Sequence, residues 1–296
     1  MLTVKHLNKR FEHIEAVKDV SFHVYKGSTV AFLGTNGAGK STVIHMIIDL
    51  LKPDAGSIKF TDGVLQEMIG VVFQSHRLDE AFTIEENLMM RARLYGMSKK
   101  EAKKSIEELL ELTDLADKRD RLYGQCSGGE KRKADIVRAL IHHPQMLILD
   151  EPTTGLDAGS REEIWSVLQR LQSEQGLTIF LTTHYIEEAE HVDYVILMHE
   201  GKIEVEGTPA NLRNRYAKTK LTLHTKNSGE LKKLLYYHQY EVKIENSKVY
   251  MQINSSKDAI PILQLVKELI TDFSIREASL EHVFLEITEQ IKSKVR

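Results

Sequence analysis

The chain has 296 residues, a length that predicts about two domains at roughly 150 residues each. Charged residues make up 28% and hydrophobic ones 42%, which excludes a disordered or collagen-like chain. With 40 Lys and Arg against 43 Asp and Glu, the net charge of −3 argues against nucleic acid as a partner. The single cysteine, Cys126, rules out an intrachain disulfide or a multi-cysteine metal site and fits a reducing compartment.

The opening stretch reads as a strand rather than a signal peptide. Residues 2–6 and 16–24 carry period-two patterning in parts, with Val20, Phe22 and Val24 on one face. Residues 29–33 form a compact apolar strand ending at Gly34. Residues 41–51 then place Val43, Ile47 and Leu51 on one helical face. Pro53, Asp54, Ala55 and Gly56 break the chain, and residues 69–73 read as a further strand. Residues 83–95, 98–112 and 128–142 predict three helices that interrupt a strand-rich pattern. Strands resume at 146–149, 178–183 and 194–199, separated by helical segments at 160–173 and 186–191. Strands alternating with helices imply a mostly parallel sheet with helices on its faces, the helical block being an insertion. The longest unbroken apolar run, Tyr194 to Met198, is far short of the ~18 residues that a spanning helix needs.

After Gly207, Thr208-Pro209 looks like the start of a short helix through Arg215. Strands are then expected at 221–225, 242–244, 249–253 and 273–276. Helices are expected at 229–237, 259–270 and 280–291, the last with a core-facing stripe of Val283, Ile287 and Ile291. This is a small α+β unit, so a boundary is expected near Ala217, giving domains 1–216 and 217–296.

Gly34-Thr35-Asn36-Gly37-Ala38-Gly39-Lys40-Ser41 matches G-x-x-x-x-G-K-[ST], between a strand and a helix as that motif requires. Glycines let backbone N–H groups curl around phosphate oxygens, and the helix N-terminus adds partial positive charge. Lys40 then supplies a point charge for the β- and γ-phosphates, and the Ser41 hydroxyl a ligand for Mg²⁺. Met146 to Leu149 is an apolar run ending in Asp150-Glu151. Ligands sit at the carboxyl ends of parallel strands, where Asp150 can hold the metal and Glu151 can act as general base on water. Ser127-Gly128-Gly129-Glu130 reads as a capping box that also exposes a helix N-terminus to phosphate. Read alone, Gln74, His184 and the turn at Gly155-Leu156-Asp157 say little.

The order of these fragments resembles the nucleotide-binding subunit of ABC transporters, over residues 1–216. The resemblance implies an α/β fold: a RecA-like phosphate-loop core with an N-terminal antiparallel β-region and an inserted helical subdomain at about 76–143. It implies ATP and Mg²⁺ as cofactors, and ATP hydrolysis coupled to transport. Phe11 would stack on adenine, and Gly34 to Ser41 with the adjoining Thr42 would hold the phosphates. Ser41, Gln74 and Asp150 would bind the metal, and Glu151, Gln74 and His184 would be catalytic. In that family the Ser127-Gly128-Gly129 segment and Asp157 of one subunit complete the site of the other, in a head-to-tail dimer. Thr35 stands where proline is common, and C-S-G-G-E replaces L-S-G-G-Q. Neither change touches Ser127 or Gly128.

Residues 278–288, Ala139-Leu140-Ile141-His142-His143-Pro144 and residues 201–212 resemble the daunorubicin-resistance-like exporter ATPases. The implied partners are a polytopic permease, contacted near 74–87 and 121–124, and a second ATPase subunit, identical or related. The implied location is the cytoplasmic face of the membrane. The alternative is a soluble ABC ATPase without a permease, which would more often carry two cassettes or a coiled-coil insertion. An importer ATPase would more often end in small β-barrels, and a kinase would lack Ser127-Gly128-Gly129.

Overall fold

The computed structural model describes residues 1–61, 69–216, 218–277, 279–284 and 287. The chain divides into two compact units, Met1–Gly207 and Thr208–Arg296. The division falls nine residues before the boundary expected near Ala217, so the helix Pro209–Tyr216 groups with the second unit.

The first unit is built on two sheets. β1 (Leu2–Phe11), β2 (Ile14–Val24) and β4 (Ala55–Phe60) form an antiparallel sheet in the order β2-β1-β4. The second sheet runs β5-β6-β7-β3-β8-β9. Its strands are β3 (Thr29–Leu33), β5 (Ile69–Val72), β6 (Met146–Asp150), β7 (Thr178–Thr183), β8 (Tyr194–His199) and β9 (Lys202–Gly207). All pairings are parallel except that of β9 with β8. Every residue of β3, β6 and β7 is buried, as expected of inner parallel strands covered on both faces. β1 instead alternates, because only one face of its sheet meets the core. The sheets meet through Phe22, Phe32 and Phe180, whose ring centroids lie 5.5 to 5.7 Å apart.

Two strands, β4 and β9, differ from expectation. Pro53 to Gly56 looks like a break, yet Ala55 already pairs with Asn8. β9 is polar apart from Ile203 and Val205, and holds its place as an edge strand through the backbone ladder. Helix α1 (Lys40–Ile47) is shorter than predicted. Asp49 takes φ 60°, and the amides of Leu50 and Leu51 bond back to the His45 carbonyl. The segment Ile186–His191 is a 3₁₀ helix.

Between β5 and β6 the chain inserts α2 (Ile84–Leu94), α3 (Lys99–Leu112) and α4 (Gly128–Leu140). Each opens with a capping box: Thr83 with Glu86, Ser98 with Glu101, Ser127 with Glu130. The reciprocal bonds satisfy two orphan donors apiece and fix where each helix starts. α5 (Ala158–Gln175) follows β6, capped by Asp157.

The second unit holds α6 (Pro209–Tyr216), then β10 (Thr219–His224), α7 (Ser228–Tyr237), β11 (Lys243–Glu245), β12 (Lys248–Ile253), α8 (Ala259–Val266) and β13 (Asp272–Arg276). The antiparallel order β11-β12-β10-β13 is the split β-α-β arrangement. Its core is its own, centred on Leu221, Leu223, Leu231, Val249 and Ile262. α8 ends before the expected residue 270, while residues 280–284 are helical. Ala217, Ile291 and the basic end Lys292, Lys294 and Arg296 lie outside the described residues. No helix among the described residues is long and apolar enough to cross a membrane.

β5 lies at the edge of its sheet, against α4. A Cβ on Gly70 would come 2.2 Å from the Ala139 carbonyl oxygen, so only glycine permits this approach. Gly70→Ala is expected to lower stability by about 1–3 kcal/mol in thermal melting, because strand and helix must separate. Nearby, His142 stacks on Tyr95 at 4.1 Å and donates from Nε2 to the Ile69 carbonyl at 3.1 Å. Burial holds its pKa below the ordinary value of 6.5. As pH falls below about 6.5 the unfolded chain takes up a proton that the folded chain refuses, so stability is lost on acidification. His142→Gln is expected to flatten the fall in melting temperature between about pH 7 and 5.

Candidate active site

The loop from Gly34 to Gly39 runs from the buried end of β3 into α1. Gly39 takes φ 103°, and a Cβ there would lie 2.3 Å from the Ala16 carbonyl oxygen of β2. The backbone therefore presses against the antiparallel sheet at a position that only glycine fits. The Ala38 carbonyl accepts a 3.0 Å bond from Gly201 N–H, and Lys18 N–H donates to the Gly201 carbonyl at 2.8 Å. The β8–β9 turn thus clamps the loop to β2. Thr35, Asn36 and Gly37 remain exposed, and Thr42 is half-buried within α1.

Lys40, 4% exposed, folds back over this loop. Its Nζ donates to the Gly34 carbonyl at 2.8 Å and to the Thr35 carbonyl at 3.1 Å, and lies 3.7 Å from Glu151 Oε1. Burial pushes the amine below its usual value, against the opposing pull of Glu151 and Asp150. Ser41 Oγ donates to Asp150 Oδ1 at 3.2 Å. The phosphate loop and the end of β6 are thereby joined directly.

Asp150 and Glu151 are 6% and 9% exposed. Thr182 of β7 serves both: its hydroxyl donates to Asp150 Oδ1 at 2.6 Å and accepts from Glu151 N–H at 3.0 Å. Glu151 sits in the left-handed region at φ 49°, a conformation that turns its side chain out of the strand direction. Three groups then converge on Glu151 Oε2. Thr154 Oγ1 donates at 3.0 Å and Gln74 Nε2 at 3.4 Å, while His184 Nδ1 lies 3.3 Å away without hydrogen-bond alignment. The structure thus gathers Lys40, Ser41, Gln74, Asp150, Glu151 and His184, from four separate strands' ends, into one cluster.

The other predicted residues lie elsewhere. Ser127 caps α4, accepting from Glu130 N–H at 3.2 Å, and Glu130 reaches back to Ser127 N–H at 2.8 Å. Burial would raise the Glu130 pKa, but its bond to that amide and its contact with Lys118 leave it lowered. Asp157 caps α5 by accepting from Ser160 N–H at 3.0 Å and Ser160 Oγ at 2.7 Å, bonds that hold its carboxyl below the ordinary range. Gly129 lies against Ser160, where a Cβ would meet Oγ at 2.8 Å. Ser127, Gly128, Gly129 and Asp157 therefore share a second patch. Among the described residues no hydrogen bond or ion pair joins it to the Lys40–Glu151 cluster. Phe11, 45% exposed, stands at the end of β1 paired with Ile14, on the hairpin whose Ala16 meets Gly39. No hydrogen bond or ring contact among the described residues ties it to the cluster.

The donor set suits a hard cation: a hydroxyl, a carboxylate and an amide oxygen are oxygen ligands of the kind Mg²⁺ takes alongside phosphate and water. The exposed loop amides at the α1 N-terminus suit the phosphates. A strand, a glycine loop, a buried lysine and paired strand-end carboxylates define a phosphate-loop nucleotide hydrolase. Comparisons with known proteins narrow the class. Residues 17–154 match the family model described as ABC transporter, and residues 207–288 match that of the DrrA1-3-like ATP-binding protein C-terminal domain. The Nod factor export ATP-binding protein I of Burkholderia thailandensis is 34% identical over 95% of both chains. That of a Rhizobium species is 36% identical, again over 95% of both. Among solved structures, cbiO1 of Clostridium perfringens, part of the ABC transporter complex cbiONQ, is similar with a TM-score of 0.68 and 29% identity. The match covers 79% of this chain and 94% of that one. A bacterial ABC transporter cassette solved as a dimer has a TM-score of 0.62 and 30% identity over 70% of this chain and 98% of its own. The chain belongs to the ATP-binding subunits of ABC transporters, which hydrolyse ATP for transport and whose cassettes dimerise and act with a permease.

Sequence reasoning passed over Thr182 and Thr154. The one available signal was polarity in the wrong place, Thr182-Thr183 closing a wholly buried strand. Thr182→Val keeps the shape but strips both carboxylate-bearing residues of a partner. It should cost about 1–3 kcal/mol in thermal melting, while Thr182→Ser stays near the wild type.

Proposed function

We propose that this chain is the ATP-hydrolysing subunit of an ABC exporter, working as a head-to-tail pair of cassettes beneath a polytopic permease. The supporting observation is the separation of two half-sites. Lys40, Ser41, Asp150, Glu151, Gln74 and His184 form one cluster, whereas Ser127, Gly128 and Asp157 are capped and presented on another patch. Each half lacks what the other holds, so a second cassette, a copy of this chain or a relative, completes both.

In such a pair the loop amides and Lys40 grip the β- and γ-phosphates, and Phe11 offers its exposed ring to adenine. Ser41, Asp150 and Gln74 would hold Mg²⁺, which would supply neutralisation of the charge developing on the phosphates. Glu151 accepts the proton of the attacking water. Its left-handed backbone and the Thr154 hydroxyl aim the carboxylate, while Gln74 and His184 approach the same oxygen. The partner's Ser127 end supplies a second helix N-terminus at the γ-phosphate.

The permease reading has its own support. The two segments expected to face it are paired: Thr83 bridges Leu122, and Tyr123 N–H donates to the Phe82 carbonyl at 2.9 Å. The same unit carries a groove of about 350 Å³ lined by Leu50, Val71, Phe73, Arg91, Tyr95 and Arg138. Apolar walls with two guanidinium groups suit a short amphipathic helix carrying an acid. Docking there would place the chain at the cytoplasmic face of the membrane.

Glu151→Gln keeps the shape but removes the base. Hydrolysis should fall by about 10²–10⁴-fold while ATP binding survives, so this variant should run as a dimer in size-exclusion chromatography with MgATP. Lys40→Ala should bind ATP weakly and stay monomeric. A Glu151→Gln protein that remains monomeric at saturating ATP and hydrolyses normally would overturn the assignment.

A further inference from the structure

Among the described residues β5 is an edge strand, so the carbonyls on its outer side have no neighbouring strand to meet. Side chains of α4 and the turn after it take them in sequence. His142 Nε2 bonds the Ile69 carbonyl at 3.1 Å, and Arg138 Nη2 bonds that of Val71 at 2.6 Å. Arg132 then takes two: Nη1 donates to Phe73 at 2.7 Å and Nη2 to Gln74 at 2.8 Å. Between the arginines, Asp135 is 1% exposed. It accepts from Arg77 N–H at 3.3 Å and from the Tyr123 hydroxyl at 3.3 Å, and lies 2.7 Å from His76 Nδ1. α4 thus reads the backbone from Ile69 to Arg77 like a rail.

The Arg132 contact differs in kind from the other two. Successive carbonyls of an extended strand point to opposite sides, so one donor group serves every second residue. Phe73 and Gln74 are consecutive, and both carbonyls turn to the same guanidinium. The planar fork therefore holds a bend in the chain at Gln74, beyond the end of β5 at Val72. Arg132 is 2% exposed, and its Nε has no hydrogen-bond partner among the described residues. Burial lowers its pKa. Packing alone would be served as well by an apolar side chain of that size.

We propose that Arg132 is a positioning residue for catalysis: by holding the Phe73 and Gln74 carbonyls it sets the Gln74 amide against Glu151 and makes Gln74 follow the helix that Ser127 caps. The inference rests on the reading of Gln74 and Glu151 given above. A shift of α4, as a second cassette or a permease engages the helical insertion, is then delivered to Gln74 through two hydrogen bonds.

The test is steady-state ATP hydrolysis by the full chain, at a protein concentration where activity per molecule has reached its plateau. Arg132→Lys keeps the charge but not the fork. It should lower kcat by roughly 10- to 100-fold and leave KM for ATP within about twofold. Combined with Gln74→Ala, it should add no further loss, because both changes remove one positioned amide. Losses that multiply, or a normal kcat for Arg132→Lys where Gln74→Ala is slow, would overturn the proposal and leave the role of Gln74 standing. A wild-type rate for Gln74→Ala would instead overturn the underlying reading. If Arg132→Lys does not fold, Arg132→Gln, neutral and able to bond only one carbonyl, replaces it in the same cycle with the same expectation.

Discussion

Two carboxylates stand side by side at the end of an apolar strand, and the rest of the catalytic unit is arranged around them. Asp150 and Glu151 are each less than a tenth exposed, and a buried carboxylate without partners is strongly unfavourable. The fold answers with partners from every neighbouring element: Ser41 from α1, Thr182 from β7, Thr154 from the following turn, Lys40 from the phosphate loop. Gln74 and His184 reach Glu151 from the ends of β5 and β7. These groups are distant in sequence, and the parallel sheet is what brings its strand ends to one rim. The same demand for partners that stabilises the pair gathers the site: whatever neutralises the acids also surrounds the place where the proposed mechanism puts phosphate and water.

The helical insertion depends on this rim without belonging to it. Its three helices begin at capping boxes, so their starting points are locally determined. Their placement against the sheet is another matter. Gly70 lets α4 touch β5, Arg138 and His142 bind the outer carbonyls of that strand, and Arg132 and Asp135 hold the segment from Phe73 to Arg77 that follows it. An exposed strand edge invites unwanted pairing, so covering it with a helix also guards the sheet. Here the cover carries the Ser127-Gly128-Gly129 segment at its other end, which couples edge protection to the proposed second half-site.

The second unit solves its own folding problem. It has a split β-α-β topology and a separate apolar core, and its sheet shares no strand with the first unit. Every nucleotide-site residue lies before Gly207. The division of labour in the chain is therefore chemical on one side and structural independence on the other.

By itself the sequence determined the phosphate loop, the strand-end acids, the parallel core and the helical insertion. Each of these is written in adjacent residues or a short period: Gly34 to Ser41, Met146 to Glu151, the continuous apolar runs of β3 and β7. It also determined the caps, since Ser127 and Glu130 lie within one turn. Other features had no local signature. β4 and β9 exist because partner strands supply their hydrogen bonds, and α1 stops early because Asp49 adopts a left-handed backbone. Thr182 matters only because β6 and β7 are neighbours, and Arg132 only because α4 lies against the bend that follows β5. Gln74 and His184 were legible from their order in a familiar series, while their approach to Glu151 Oε2 was a matter of tertiary structure. Local chemistry is set by spacing along the chain; which distant groups share one oxygen is decided by how the sheet and its insertion close around it.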